Sequence, residues 1–384
     1  MKALLELHIL QNFAPSNLNR DDTGSPKDTL FGGHRRGRIS SQCLKRAVRE
    51  YVRGNGAMLP ESALAVRTKR VSQELVGALT ARGRNEEEAK SKVTVALGGM
   101  GLKIDDGKSQ YLLFLARSEI ERLANLIEEQ WDAISLAEEA GEKKTGRAAK
   151  QAAKDAAAEI GKAMKDLLDG GKAVDLALFG RMLADLPEKN RDAACQVAHA
   201  MSTHAIEREF DFYTAVDDLK PEDTAGADML GTVEFTSACF YRYAAVDLGK
   251  LVDNLAGDID LAVAGVEAFL RASIRAKPTG KQNSFAAHND PGYVVLAVRK
   301  DADPRSLANA FEKPVRANRD VSLTGVSVEQ LERTWEQLEA AYGQAGSALT
   351  LNLTETASHV GEQVATADDL VSQAMQQVRA ALEA

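Results

Sequence analysis

The stretch "FGGHRRGRISSQCLKRAVREYV", Phe31 to Val52, decides how this chain reads. Together with Arg53 it carries seven basic residues, Arg35, Arg36, Arg38, Lys45, Arg46, Arg49 and Arg53, against one acid, Glu50. Ser40 or Ser41 supplies a helix N-cap. Beyond it Leu44, Ala47, Val48, Tyr51 and Val52 fall on one stripe at helical spacing, with Lys45, Arg46, Arg49 and Arg53 on the adjoining arc. "GNG" at 54–56 ends the helix. Hydroxyls, unsatisfied first-turn amides and cationic side chains then converge on one spot, which suits a phosphate group. The competing reading is an ordinary solvated helix face, and residue types alone leave both open.

The charge of the whole chain sharpens the question. It has 384 residues and a formal charge of −8. Seven cations and one acid give residues 31–53 a charge of +6, leaving −14 for the rest. Such asymmetry implies a local anionic ligand on an otherwise acidic body. The apolar fraction of 44% allows a sizeable core. Cys43, Cys195 and Cys239 are odd in number and far apart, which excludes a disulfide framework and fits a reducing cytoplasm. "MKALLELHIL" is interrupted by Glu6 and His8, so no secretory signal is expected, and no membrane partner is expected because no apolar stretch reaches spanning length.

Outward from that stretch, "ALLELHILQN" (3–12) alternates as a strand, with Glu6 and His8 on one face and Leu5, Leu7 and Ile9 on the other. A polar loop, "FAPSNLNRDDTGSPKDT", follows it. Residues 57–206 read as mostly helical, including "ALFGRMLADL", "AACQVAHAMSTHA" and an alanine-rich run with Lys143, Lys144, Lys150 and Lys154; "QYLLFL" reads as a short strand. "EREFDFYTAVDDL" and "GTVEFTSACFYRYAAVDL" predict a long β-hairpin. A helix at 258–275, the strand "YVVLAVRK", a helix, the strand "ALTLNL" and a terminal helix complete the chain. The order is compatible with a βαββαβ core carrying a large helical insertion.

Several chemistries drop out. "FGG" and "TGKQN" lack the spacing of a P-loop, since Arg275 stands where the first glycine belongs and Gln282 follows Lys281. His199 and His204, five apart, do not share a helix face as metal ligands. Asp21, Asp22 and Asp28 are the credible catalytic rival, as Mg²⁺ ligands beside a basic patch, although bracing the loop explains them as well. Phe212 and Tyr213 either make ordinary cross-strand pairs or wedge between bases.

"NLNRDDTGSPKDTLFGGHRRGRISSQCLKRAVR", "ALFGRM", "EFDFYTAVDDL", "GTVEFTSACFYRYA" and "TGKQNSFAAHN" together closely resemble the CasC family, the repeated backbone subunits of type I-E CRISPR Cascade. The resemblance runs in order from the N-terminus to about residue 300 and is less distinct over 136–172 and the last sixty residues. It implies an α+β protein: an RRM-like (ferredoxin-like) palm in two parts, 1–56 and 236–384, with helical fingers at 57–206 and a β-hairpin thumb at 207–235. It implies a non-catalytic subunit without cofactor or metal. Its partners would be crRNA, target DNA, other copies of itself, the large and small Cascade subunits, CasD-type and CasE-type proteins, and a recruited helicase–nuclease. Carried over by position, Lys27, Ser40, Gln42, Lys45 and Arg49 contact the guide backbone. Asn19, Arg20, Ser41 and Arg46 lie in the same motif, and Met182 with Phe212 or Tyr213 stacks at a kink.

The physics agrees with that implication. A subunit that holds any spacer must grip sugar and phosphate and leave base edges free. The alternatives are an Mg²⁺-dependent endonuclease cutting target RNA with Asp21, Asp22 or Asp28, and a helix-turn-helix regulator. The regulator requires a tight turn where "GNGAMLP" offers a loop.

Overall fold

Strand β1 (Ala3–Ser16) occupies the centre of a ten-stranded sheet and is paired along both edges. The structure, a computed structural model, describes residues 3–55, 58–134, 147–215, 229–344 and 346–383. The chain forms two units: Met1–Asn55, Cys195–Gly249 and Val266–Ala384 make the first, Gly56–Ala194 and Lys250–Gly265 the second.

In the first unit, β1 leads to β2 (Asp28–Phe31), β3 (His34–Ile39) and helix α1 (Ser41–Gly54). Then come β4 (Cys195–Val197), β5 (Ala200–Ser202), β6 (Glu209–Ala215) and the long β7 (Met229–Asp247). Helix α2 (Ile259–Arg275), of which the part from Val266 onward is in this unit, is followed by β8 (Tyr293–Lys300), α3 (Leu323–Tyr342), β9 (Gly346–Asn352), β10 (Glu362–Val364) and α4 (Ala367–Leu382). The sheet order is β10-β9-β8-β1-β7-β5-β3-β2, with β4 and β6 also paired to β7. Its middle, β8-β1-β7-β5, with α1 after the first strand and α2 after the third, has the strand order of a βαββαβ core. The fold class is α+β, as expected.

Both faces of β1 are buried, so the polar face expected for Glu6 and His8 does not meet water. Long-range partners satisfy it instead. Glu6 accepts from the Tyr243 hydroxyl at 2.6 Å and the Arg305 amide at 2.5 Å, and it pairs with Arg299. His8 Nδ1 meets the Tyr241 hydroxyl at 2.9 Å, and Trp335 of α3 closes edge-on over the ring.

Three expectations are corrected. "AACQVAHAMSTHA" forms β4 and β5 rather than helix: Cys195 pairs with Val246, Val197 with Ala244 and Ser202 with Phe240. Alanine favours helix, but pairing along β7 outweighs propensity. Residues 13–31 are not one polar loop, because β1 continues to Ser16 and β2 pairs with β3 in a hairpin across Gly32-Gly33. Both glycines have positive φ, as a two-residue primed turn requires, and a Cβ on Gly32 would collide with the Glu312 carbonyl oxygen. Arg36 consequently points into the interior. It is fully buried and donates to the carbonyls of Ser202, Thr203, Phe311 and Glu312 at 2.7–3.2 Å.

The second unit is mostly helical, with two short antiparallel strand pairs among the described residues, Ala65–Thr68 with Leu113–Ala116 and Ile104–Asp105 with Lys108–Ser109. Helices Val71–Ala81, Glu86–Gly99, Arg117–Glu129 and Arg147–Asp166 enclose a core that includes Leu75, Leu97, Leu123 and Met164. Gly99 and Gly161 let two of these helices touch backbone to backbone, since a Cβ on either would overlap the other helix. In "ALFGRMLADL" the helix Val174–Phe179 stops at Gly180, whose φ is +75°, rather than continuing. The Arg181 guanidinium next to it pairs with Glu119 at 2.8 Å, with both side chains buried. Among the described residues, no helix is long and apolar enough to cross a membrane.

Candidate nucleic-acid interface

The loop leaving β1 folds back on itself and meets the start of α1. Asn19 accepts the Ser40 amide on its side chain at 2.8 Å and the Lys27 amide on its carbonyl at 2.9 Å. The Lys27 carbonyl in turn accepts the Arg38 amide. Asn19, Lys27, Arg38 and the first turn of α1 are thereby fixed together.

That first turn differs from the open phosphate site expected. Ser40, not Ser41, is the N-cap: its hydroxyl accepts the Cys43 amide at 3.2 Å. The Ser41 amide donates to His199 Nδ1 at 2.8 Å. With two amides committed, the Gln42 N–H is left without an acceptor among the described residues, beside an exposed Gln42 side chain. The anion-binding capacity therefore rests mainly on side chains.

Those side chains are divided. Arg20 and Arg46 are exposed and Lys27 half-buried, and none has a side-chain hydrogen bond or ion pair among the described residues. Lys45 is half-buried. Arg49 is buried, on the side of α1 that carries Val48 and Val52, so it is not part of the exposed edge. Arg35 is turned away to Asp28 at 2.5 Å.

Arg20 and Arg46 face a cleft of about 690 Å³ that also involves Asn19, Asp22, Tyr51 and the turn Lys277–Gly280. A Cβ on Gly280 would lie 2.3 Å from the Leu18 carbonyl oxygen, so this turn presses directly on the β1 loop. Lys281 and Ala286 hold left-handed backbones without being glycine, at φ +51° and +47°. Gln282 keeps the segment in place by donating to the Pro278 and Ala287 carbonyls. Backbone strain of this sort persists where surroundings over-determine it, often at functional sites.

Two of the aspartates weighed as catalytic are engaged elsewhere. Asp21 accepts from the Thr23 hydroxyl at 2.7 Å and from the Thr23 and Ser25 amides, which hold its carboxyl below the ordinary range. Asp28 binds Arg35 and Arg208. Asp22 is exposed. The described residues contain no cluster of three or more His, Cys, Asp or Glu able to hold a metal.

The hairpin arms pair from Glu209↔Phe235 to Ala215↔Met229; residues 216–228 lie outside the described residues. Phe210, Phe212 and Leu230 share one face and stand 65–66% exposed, while Tyr213 lies on the other face against Gly231. Phe212 and Tyr213 thus offer alternative faces, not one. Met182, in the second unit, is 79% exposed on the loop fixed by Arg181. Lys143 and Lys144, with the side chains of Lys150 and Lys154, lie outside the described residues.

The fold therefore unites Asn19, Arg20, Lys27, Ser40, Ser41, Gln42, Lys45 and Arg46, places Phe212 and Tyr213 on the hairpin, and puts Met182 in the other unit. Sequence reasoning missed His199 and the Lys277–Gly280 turn. His199 gave no local signal because its partner, Ser41, is 158 residues away. The turn overlaps "TGKQN" only at Thr279 and Gly280, a segment considered as a P-loop and for the family resemblance but not as a neighbour of the β1 loop.

Comparison with known proteins agrees with the resemblance read from the sequence. A family model described as CT1975-like protein matches residues 5–377. A chain of a solved "CRISPR RNA-guided surveillance complex, pre-nicking" is 31% identical, with 98% of this chain and 100% of that chain covered and a TM-score of 0.83. A chain of another "CRISPR RNA-guided surveillance complex" is 28% identical, with 97% and 99% covered and a TM-score of 0.72. No curated protein matches.

Proposed function

This chain belongs to the CT1975-like protein family, and on that premise we propose that it is a non-catalytic, crRNA-binding backbone subunit of a type I-E CRISPR Cascade surveillance complex. Copies of it line up along one guide RNA and present the guide to target DNA. The first unit acts as an RRM-like palm, the helical unit as fingers and the β6–β7 hairpin as a thumb. Large, small, CasD-type and CasE-type subunits complete the particle, and a separate helicase–nuclease acts on the target.

The observation that carries this reading is the cationic edge of Arg20, Lys27 and Arg46 around the start of α1, without side-chain partners among the described residues, in an acidic chain. These residues come from one compact corner, and they bind phosphate without reading bases. Repetition of a weak grip along a strand raises total affinity through effective concentration. The carboxylates of Asp21 and Asp28 are committed to local contacts, which favours a holding role over RNA cleavage.

Arg20→Glu combined with Arg46→Glu tests the reading, since both side chains are exposed and the fold should survive. RNA co-purifying with the complex should be lost, and the salt dependence of binding should flatten by about one unit of slope per phosphate contact. Unchanged RNA content in the folded variant rejects the interface. Regular cleavage of complementary RNA with Mg²⁺, abolished by Asp22→Asn, would establish the endonuclease instead.

A further inference from the structure

His199 lies between β4 and β5, exposed, where the pairings Arg38↔Met201 and Ile39↔Ala200 bring its strand beside the one that leads into α1. Its Nδ1 accepts the Ser41 amide at 2.8 Å. That bond fixes the tautomer: an imidazole that accepts at Nδ1 while neutral carries its proton on Nε2. The Nε2–H has no acceptor among the described residues. Partial burial, with the Arg38 and Lys27 charges, lowers the His199 pKa and so favours the neutral ring. The result is an exposed donor held by its Nδ1 bond, in the field of Arg38 and Lys27, at the edge where Lys27 and Gln42 also have no side-chain partner among the described residues.

We propose that His199 is a nucleic-acid contact, its Nε2–H donating to an oxygen of the sugar–phosphate backbone while its Nδ1 holds the first turn of α1. The inference rests on the function proposed above and extends it: the grip includes a neutral donor as well as cations. Such a donor contributes direction without adding net charge. It therefore strengthens binding while leaving the salt dependence unchanged.

A purely capping role makes the opposite prediction for two conservative variants. Asn places an amide oxygen near the position of Nδ1 and keeps the acceptor for Ser41, but it removes the outer donor. Gln places an N–H near Nε2 and keeps the outer donor, but it loses the acceptor. Binding of a fluorescein-labelled, mixed-sequence single-stranded RNA to the full-length chain separates the roles. His199→Asn and His199→Ala should each bind about five- to tenfold more weakly, with an unchanged salt slope, while His199→Gln stays near wild type. Wild-type affinity for Asn with loss for Gln, or no change in all three, overturns the inference. Absence of RNA binding by the wild-type chain overturns the proposed function itself, a distinct result. A DNA strand of the same sequence assigns the acceptor: equal losses identify phosphate, and a loss confined to RNA identifies the ribose 2′-hydroxyl.

Discussion

Arg208 donates to the Asp28 carboxylate at 2.6 Å and so ties the entry of the β6–β7 hairpin to the start of β2. Glu234 on the returning arm takes the other side of the same guanidinium at 3.0 Å, and Arg35 also binds Asp28. Partial burial works against the Asp28 carboxylate, but the two arginines outweigh it and hold its pKa below the ordinary value. A depressed carboxyl contributes stability that is complete above its unfolded pKa, near 4, and lost as pH falls through the folded value. Asp28→Asn should lower stability by about 1 kcal/mol at neutral pH. Thermal melts across a pH series should show the two proteins converging below about pH 4.

Among the described residues, Arg36 donates to four carbonyls and pairs with no carboxylate. Arg36→Met keeps apolar volume but leaves those carbonyls short of donors, at a cost of about 2–4 kcal/mol. Hydrogen exchange should rise at Phe311–Val315 before it rises in β1. Uniform loosening instead would mean that Arg36 supports the whole sheet and not that segment.

In the second unit, Glu119 also accepts the Ala116 and Gly170 amides, and Arg181 reaches the Leu168 and Lys189 carbonyls. Removing one partner of a buried ion pair strands the other. Glu119→Ala or Arg181→Ala should therefore cost about 3–5 kcal/mol, read by urea denaturation. The double variant should cost less than the sum of the two.

His8 is neutral in the folded protein, its pKa pushed down to about 3 by burial and by the Arg299 charge. The unfolded chain takes up that proton near 6.5. This contribution is complete above the unfolded pKa and declines from there towards the folded one, by about 1.4 kcal/mol per pH unit at most. His8→Leu should flatten the stability profile in that window, although losing the Tyr241 contact lowers its plateau. A profile as steep as wild type would assign the acid sensitivity to other groups.

The hairpin aromatics test function apart from stability. Phe212 is 65% and Tyr213 45% exposed, so replacing either with Ser should change stability by no more than about 0.5 kcal/mol. Assembly on RNA should nevertheless weaken if these rings meet bases or a neighbouring copy. Electron microscopy of the reconstituted complex would reveal particles with missing or irregular copies.

Local patterns in the sequence were enough for the elements whose causes lie within a few residues. "YVVLAVRK" is β8, the Ser40 cap starts α1, and Leu44, Val48 and Val52 are its buried stripe. Asn19, Lys27 and Lys45 were singled out by the family resemblance, not by local pattern; the fold brings Asn19 and Lys27 to the start of α1 through backbone and side-chain hydrogen bonds. The fates of individual charges were not legible. Arg36 and Arg46 look equivalent in "HRRGRISSQCLKR", yet one is sealed inside and the other is exposed. That difference depends on β5 and on the carbonyls of Phe311 and Glu312, far along the chain. The strands at 195–202, the burial of Glu6 and the outward donor of His199 likewise depend on β7, β8 and α1. Periodicity and capping are written within one turn or one hairpin; burial is set by whichever remote backbone closes over a side chain, and only the folded chain brings that backbone near.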